Sequence, residues 1–97
     1  MEKRDYYIIL YDFYSSLFTD KQKEYFESYY FNNLSLAEIS ENLKISRNAI
    51  HKTIKLIEQK LLYYEENLSL YKKNLELNKI IEAVKDEKIK KELERLL

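Results

Sequence analysis

The chain contains neither glycine nor proline among its 97 residues, and this double absence limits what it can fold into. Glycine supplies the positive φ angles of tight hairpins, and proline is the strongest interruption of a helix. The sequence also lacks the apolar–polar alternation of strands, whereas apolar residues recur every three or four positions. We therefore predict an all-α fold of about five to six helices.

Composition narrows the class of protein further. Hydrophobic residues make up 45% of the chain, as in folded domains, and we expect one domain over residues 1–97. The chain has no cysteine, which is typical of a reducing cytosol. The longest apolar run, Tyr6–Tyr11, is too short to cross a bilayer, and the N-terminal residues do not resemble a signal peptide. These features predict a cytoplasmic protein without a membrane segment.

The charges are balanced, with 17 basic and 17 acidic residues, which argues against strong non-specific binding of nucleic acid by the whole chain. Their distribution is uneven. Residues 36–62 carry five basic and three acidic groups, whereas residues 1–35 carry four and six, and residues 63–97 carry eight of each. Any nucleic-acid contact is therefore expected within 36–62.

The first helix is predicted over Asp5–Leu17 and is unusually apolar. Its apolar residues form two stripes of helical spacing: Tyr6, Leu10, Phe13 and Leu17 on one, and Tyr7, Tyr11, Tyr14 and Phe18 on the other. So much apolar surface indicates burial on more than one side of the helix. We expect a partner subunit to supply part of that burial, and predict a homodimer.

Two capping boxes mark the next helix starts, each a hydroxyl residue followed three positions later by glutamine or glutamate: Thr19 with Gln22, and Ser35 with Glu38. They predict helices over about 20–31 and 36–43, with the Asn32–Asn33 pair as a left-handed stop between them.

Ser46 is predicted to cap a fourth helix that carries a long apolar seam: Ile50, Ile54, Ile57, Leu61, Tyr64, Leu68, Tyr71 and Leu75. This helix either breaks near Asn67 or Ser69 or continues as one rod. The tail to Leu97 is expected to be helical and to start again at Asp86. We thus place a helix-turn-helix within residues 35–62 and a long helical extension over residues 63–97.

The stretch ENLKISRNAIHKTIKL, Glu41–Leu56, has the pattern of a helix-turn-helix. Such a pair needs a small residue where the helices cross, here Ser40, and apolar residues that lock them together: Ile39, Leu43, Ile45, Ile50 and Ile54. Lys44 stands where the turn usually has glycine. A left-handed lysine costs roughly 1–2 kcal/mol, which a packed fold can absorb.

The second helix of this pair would present polar side chains on one face. Arg47, Asn48, His51 and Lys52 are predicted to reach base edges in the major groove, because arginine can pair with guanine and asparagine with adenine. Lys55 and the helix start at Ser46 are predicted to meet phosphate. The alternative is that the same residues are simply the solvated side of an amphipathic helix.

Other chemistries have weaker support. His51 is the only histidine, so the sequence does not predict a metal site. The ten tyrosines are suited either to stacking on RNA bases or to core and interface packing, and their helical spacing favours packing. The carboxylates alternate with lysines as solvated ion pairs do. We predict neither an enzyme nor a bound cofactor.

Leu10–Leu61, LYDFYSSLFTDKQKEYFESYYFNNLSLAEISENLKISRNAIHKTIKLIEQKL, followed by YYEENLSLYKK, resembles the YlxM family of small bacterial proteins. The resemblance covers about residues 5–75. Related sequences often have Gly or Asn in place of Lys44, and Gly in place of Ser69. That family is related to region 4 of sigma factors, and its genes tend to neighbour those of the signal recognition particle.

The resemblance implies a sigma region 4-like fold and two classes of function. The first is a regulator that binds double-stranded DNA through the helix-turn-helix, linked to the signal recognition particle pathway. The second is an adaptor that does not bind DNA but binds a protein or RNA component of that particle. Net neutrality favours the adaptor, and the clustered Arg47, Asn48, Lys52 and Lys55 favour the regulator.

Overall fold

Helices account for nearly all of the secondary structure. The computed structural model describes residues 1–97 and contains a short 3-10 turn at Ser15–Leu17, no strand, and six α-helices: α1 (Lys3–Tyr14), α2 (Asp20–Tyr30), α3 (Leu36–Leu43), α4 (Arg47–Leu68), α5 (Leu70–Ala83) and α6 (Glu87–Glu94). The predicted all-α class is confirmed. The first helix begins two residues earlier than predicted, and its last turn is the 3-10 segment.

Both predicted capping boxes are present. The N–H of Thr19 donates to the Gln22 side chain at 2.9 Å, and the N–H of Gln22 returns the bond to the Thr19 hydroxyl at 3.1 Å. Ser35 and Glu38 make the same pair of bonds at the start of α3. Between the two helices Asn33 has φ 54°, the predicted left-handed stop.

The two apolar stripes on α1 differ in how deeply they are buried. The second is fully buried and packs against α2 and α4: Tyr7, Tyr11, Tyr14 and Phe18. In the first stripe only Leu10 is fully buried, and Leu17 is 53% exposed. Leu17 was expected to continue its stripe, but it lies in the 3-10 turn, whose different pitch rotates it away from the core.

The apolar seam of α4 is buried over its first half only. Ile50, Ile54, Ile57 and Leu61 are all in the core: the four have exposed fractions of 0%, 2%, 0% and 0%. Tyr64 and Tyr71 also pack against the core, but Leu68 and Leu75 are about half exposed, so the seam does not continue unbroken to Leu75. The helix breaks at Ser69, where φ is 55°, so the predicted break near Asn67 or Ser69 is confirmed and the continuous rod is excluded.

The corner at Ser69 is held by a carboxylate from the preceding helix. The first three backbone N–H groups of α5 donate hydrogen bonds to side chains of other helices. That of Leu70 donates to the Tyr14 hydroxyl at 3.0 Å, and those of Tyr71 and Lys72 donate to the Glu65 carboxylate at 3.1 and 3.0 Å. Tyr14 in turn donates to Glu65 at 2.7 Å. Burial, together with this bond to Glu65, raises the pKa of Tyr14 to about 12, so the phenol stays a donor at neutral pH. Glu65 therefore acts as the N-terminal cap of α5 in place of the Ser69 side chain.

The last two helices pack on one another, and the start of α5 also packs on α1 through Tyr71. α6 begins at Asp86, as predicted, whose carboxylate accepts from two first-turn amides. The molecule measures 56 × 25 × 24 Å and has a radius of gyration of 17.2 Å, against about 13 Å for a compact domain of this length. The predicted boundary between the helix-turn-helix and the helical extension, between residues 62 and 63, falls inside α4. The single domain over residues 1–97 stays a prediction.

Candidate nucleic-acid interface

The turn between α3 and α4 is tight although it has no glycine. Lys44 adopts φ 59° and ψ 39°, the left-handed conformation that the sequence required of it. The carbonyl of Ser40 accepts the N–H groups of Lys44 and Ile45, and the Ser40 hydroxyl donates to the Ile45 carbonyl at 2.5 Å. Ser40 was predicted only as the small residue where the helices cross. In the structure its hydroxyl also stabilises the turn in which Lys44 takes the left-handed conformation.

The start of α4 is capped as predicted. The Ser46 hydroxyl accepts from the N–H of Ala49 at 3.2 Å, and Ile45 and Ile50 pack on the core side of the turn. A side-chain cap satisfies one of the first-turn amides, and the positive end of the helix dipole remains beside an exposed surface. The position suits an anion such as a phosphate.

The exposed polar face of α4, called here the recognition stripe, consists of five side chains: Arg47, Asn48, His51, Lys52 and Lys55. Asn48, Lys52 and Lys55 lie across the helix from the core residues Ile50, Ile54 and Ile57. Arg47 and His51 are exposed at the side of α4, between these two faces. The first four side chains take part in no hydrogen bond or ion pair within the chain. They are therefore free to pair with a partner, and the structure brings all the predicted site residues together on one surface.

Lys55 differs from its neighbours because it already has a partner. Its ammonium group lies 3.2 Å from Oε1 of Glu58, the one buried charged residue, which is 6% exposed. The other Glu58 oxygen accepts a short hydrogen bond from the hydroxyl of Tyr30 in α2. Burial and this bond raise the pKa of Tyr30. Lys55 was predicted to contact phosphate, and in the structure part of its charge is balanced by Glu58.

Comparison with known proteins assigns the chain to a family. All 97 residues match the family UPF0122, described as "Putative helix-turn-helix protein, YlxM / p13 like". The UPF0122 protein of Caldanaerobacter subterraneus subsp. tengcongensis is 53% identical over 78 residues, which cover 80% of this chain and 67% of the relative. The chain belongs to this family. The resemblance to YlxM proteins seen in the sequence is thereby confirmed.

Two further relatives cover more of their own length. The UPF0122 protein of Bacillus licheniformis is 45% identical over 88% of this chain and 79% of its own length. That of Ureaplasma parvum is 42% identical over 94% of this chain and 92% of its own. The description of UPF0122 names a helix-turn-helix and no catalytic activity.

The tyrosines of this UPF0122 member serve mainly the core. Tyr63 is the one exposed tyrosine of the ten; five are buried and the other four are half-buried. They pack ring against ring, as Tyr11 does against Phe26 with centroids 4.2 Å apart. A base-stacking surface needs several exposed rings in a row, and the exposed aromatic side chains of this chain form no such row. Packing is thus the role that the structure gives them.

The remaining chemical features add no second site. His51 is exposed on the recognition stripe, and no group of three or more histidine, cysteine, aspartate or glutamate side chains is arranged to hold a metal ion. None of the helices has the length and apolar character needed to span a membrane. The recognition stripe is the candidate functional site.

Proposed function

We propose that this protein is a DNA-binding regulator that places α4 in the major groove of a duplex. The observation that supports this most directly is the recognition stripe, at the start of the helix that follows a tight turn. Four of its five polar side chains have no partner within the chain. In this proposal Arg47, Asn48, His51 and Lys52 meet base edges, and Lys55 and the helix start at Ser46 meet phosphate. Such a regulator would act in the bacterial cytoplasm, where the DNA lies.

Selection from a random pool of duplexes at near-physiological salt tests the proposal. An enriched motif is expected, since the stripe carries an arginine and an asparagine that can discriminate guanine and adenine. Enrichment of no motif over several rounds would contradict DNA reading.

Arg47→Ala is expected to weaken binding to the selected site by roughly 1–3 kcal/mol and to relax preference at one base pair, as for loss of a bidentate guanine contact. Titration of the variant against the site and its single-base variants measures both effects. Lys72→Ala, an exposed lysine on α5, is the matched control and should leave the preference unchanged. If Arg47→Ala and Lys52→Ala both fold normally and bind every duplex as the parent does, the stripe is not a reading surface.

The alternative function is an adaptor that binds a protein or RNA component of the signal recognition particle. The zero net charge favours it, because tight DNA binding usually draws on an excess of cations. The genes of YlxM proteins tend to neighbour those of that particle, and either function is compatible with a role in its pathway. Binding to purified particle RNA or protein, in a chain that enriches no DNA motif, would support the adaptor.

We further propose a homodimer, formed through apolar residues other than the α1 stripes from which it was first predicted. The second stripe of α1 and the first half of the α4 seam are buried inside the chain. In contrast, α5, α6 and the residues that end the chain expose large apolar side chains: Leu75, Ile80, Ile89, Leu96 and Leu97. An elongated molecule that leaves these apolar side chains in water suits pairing with a second copy of itself.

Light scattering at tens of micromolar is expected to give the mass of a dimer. Ile80→Glu should shift it toward the monomer, because a carboxylate in an apolar interface is costly to desolvate. A monomer for the parent chain would contradict the proposal. If the dimer binds DNA, its two copies of α4 should read half-sites about 34–36 Å apart or a multiple of that spacing.

A further inference from the structure

A cleft lies beside the recognition stripe where α1, α2 and α4 meet. It has a volume of about 350 Å³ and is lined by three cations, Lys3, Arg4 and Lys55, together with Glu58 and the rings of three tyrosines. Sequence reasoning did not find it, because Lys3 and Arg4 are more than 50 residues from Lys55 along the chain. Only the packing of α1 against α4 brings them together.

The cleft carries a surplus of positive charge. Its one carboxylate, Glu58, is buried and already bound by Lys55 and the Tyr30 hydroxyl. Lys3 is exposed and takes part in no hydrogen bond or ion pair within the chain. Two of the three cations are therefore left without a counter-charge, which suits an anionic ligand.

Arg4 is held in place but keeps unused donors. One nitrogen, Nη2, donates to the Tyr30 carbonyl and to Oδ1 of Asn33, each at 2.9 Å, and the guanidinium lies 4.8 Å from the centroid of the Tyr30 ring. The N–H groups on Nε and Nη1 make no hydrogen bond within the chain. A guanidinium fixed on one edge and open on the other is preorganised for a phosphate oxygen.

Lys55 belongs to both the recognition stripe and the cleft. Arg47, His51 and Lys55 follow one another at i, i+4 spacing along one face of α4. Eight residues of helix rise about 12 Å, which is close to the width of the major groove, about 12 Å. A helix that places Arg47 at base edges can therefore bring Lys55 and the adjoining cleft to the phosphates at the groove edge.

We infer that the Lys3–Arg4–Lys55 cleft binds a phosphate group of duplex DNA beside the groove that α4 enters. This rests on the proposed function and adds α1 to the DNA-binding surface. Lys3 supplies an unpaired charge and Arg4 a guanidinium held in position. Glu58 limits the attraction because it pairs with Lys55.

The test measures affinity for a duplex over a range of salt concentrations. Lys3→Ala should reduce the slope of log affinity against log salt by about one for every sequence, whereas Lys3→Arg should restore it. Lys88→Ala, an exposed lysine in the first turn of α6, is the matched control and should leave the slope unchanged. Glu58→Gln, which keeps an acceptor for Tyr30 and removes the negative charge, should tighten binding and steepen the slope, a change that partial unfolding cannot mimic.

The outcomes separate this inference from the proposed function. If Arg47→Ala alters base preference while Lys3→Ala and Glu58→Gln leave the salt slope unchanged, the cleft does not bind phosphate and the regulator stands. If the parent chain binds no duplex even at low salt, both fail. An equal loss of slope by Lys3→Ala on a single strand of the same sequence would mean a general phosphate site and would overturn the assignment to the duplex.

Discussion

Ile50→Ala is expected to lower the free energy of unfolding by roughly 2–5 kcal/mol, the largest effect of any single change considered for this chain. Ile50 has no exposed surface and lies directly behind the recognition stripe, in the core where α4 packs against the other helices. Shortening it removes apolar contacts and leaves a cavity that close-packed neighbours fill only in part. Urea denaturation followed by circular dichroism measures the loss.

Ile80→Ala is the matched control, since it is the same chemical change at an isoleucine that is 56% exposed. At concentrations too low for self-association it should change stability by no more than about 0.5 kcal/mol. An effect of Ile50→Ala as small as that of the control would mean that the core around α4 is not packed as described. Both variants should also be titrated with DNA, because loss of fold and loss of contacts must be told apart.

Glu65→Ala is expected to lower the free energy of unfolding by about 1.5–3 kcal/mol and to loosen the start of α5. The carboxylate accepts from the amides of Tyr71 and Lys72 and from the hydroxyl of Tyr14. Without it, a buried phenol and two helix amides lose their acceptor. Hydrogen exchange should show faster exchange at Tyr71 and Lys72, with α1 to α3 less affected.

Glu65→Gln separates the hydrogen bonds from the charge. The amide oxygen can still accept, so part of the protection at α5 should remain, whereas Glu65→Ala should remove it. If α5 keeps full protection in Glu65→Ala, the Ser69 corner does not depend on this cap. The outcome also bears on the homodimer, because the corner sets the direction in which α5 and α6 carry their exposed apolar residues.

Structural features that depend on residues close together in the chain were predicted from the sequence. The capping boxes at Thr19 and Ser35, the start of α4 at Ser46 and the start of α6 at Asp86 each involve partners two to three residues apart. The periodicity of apolar residues likewise predicted the buried isoleucines of α4 and, by the same reasoning, the exposed polar face of that helix. That face is the recognition stripe, and all its members are exposed as predicted.

By itself, then, the sequence determined the helical class, most helix starts and the stripe, because each depends on the local geometry of one helix or one turn. Tertiary structure alone decided which glutamates have distant hydrogen-bond partners: Glu58 meets Tyr30 across 28 residues, and Glu65 meets Tyr14 across 51. Both glutamates look like solvated surface residues in a helix pattern, as do Lys3 and Arg4. Their roles arise only when α1, α2 and α4 pack together, since a side chain's burial and its distant partners depend on the neighbouring helices and not on its own.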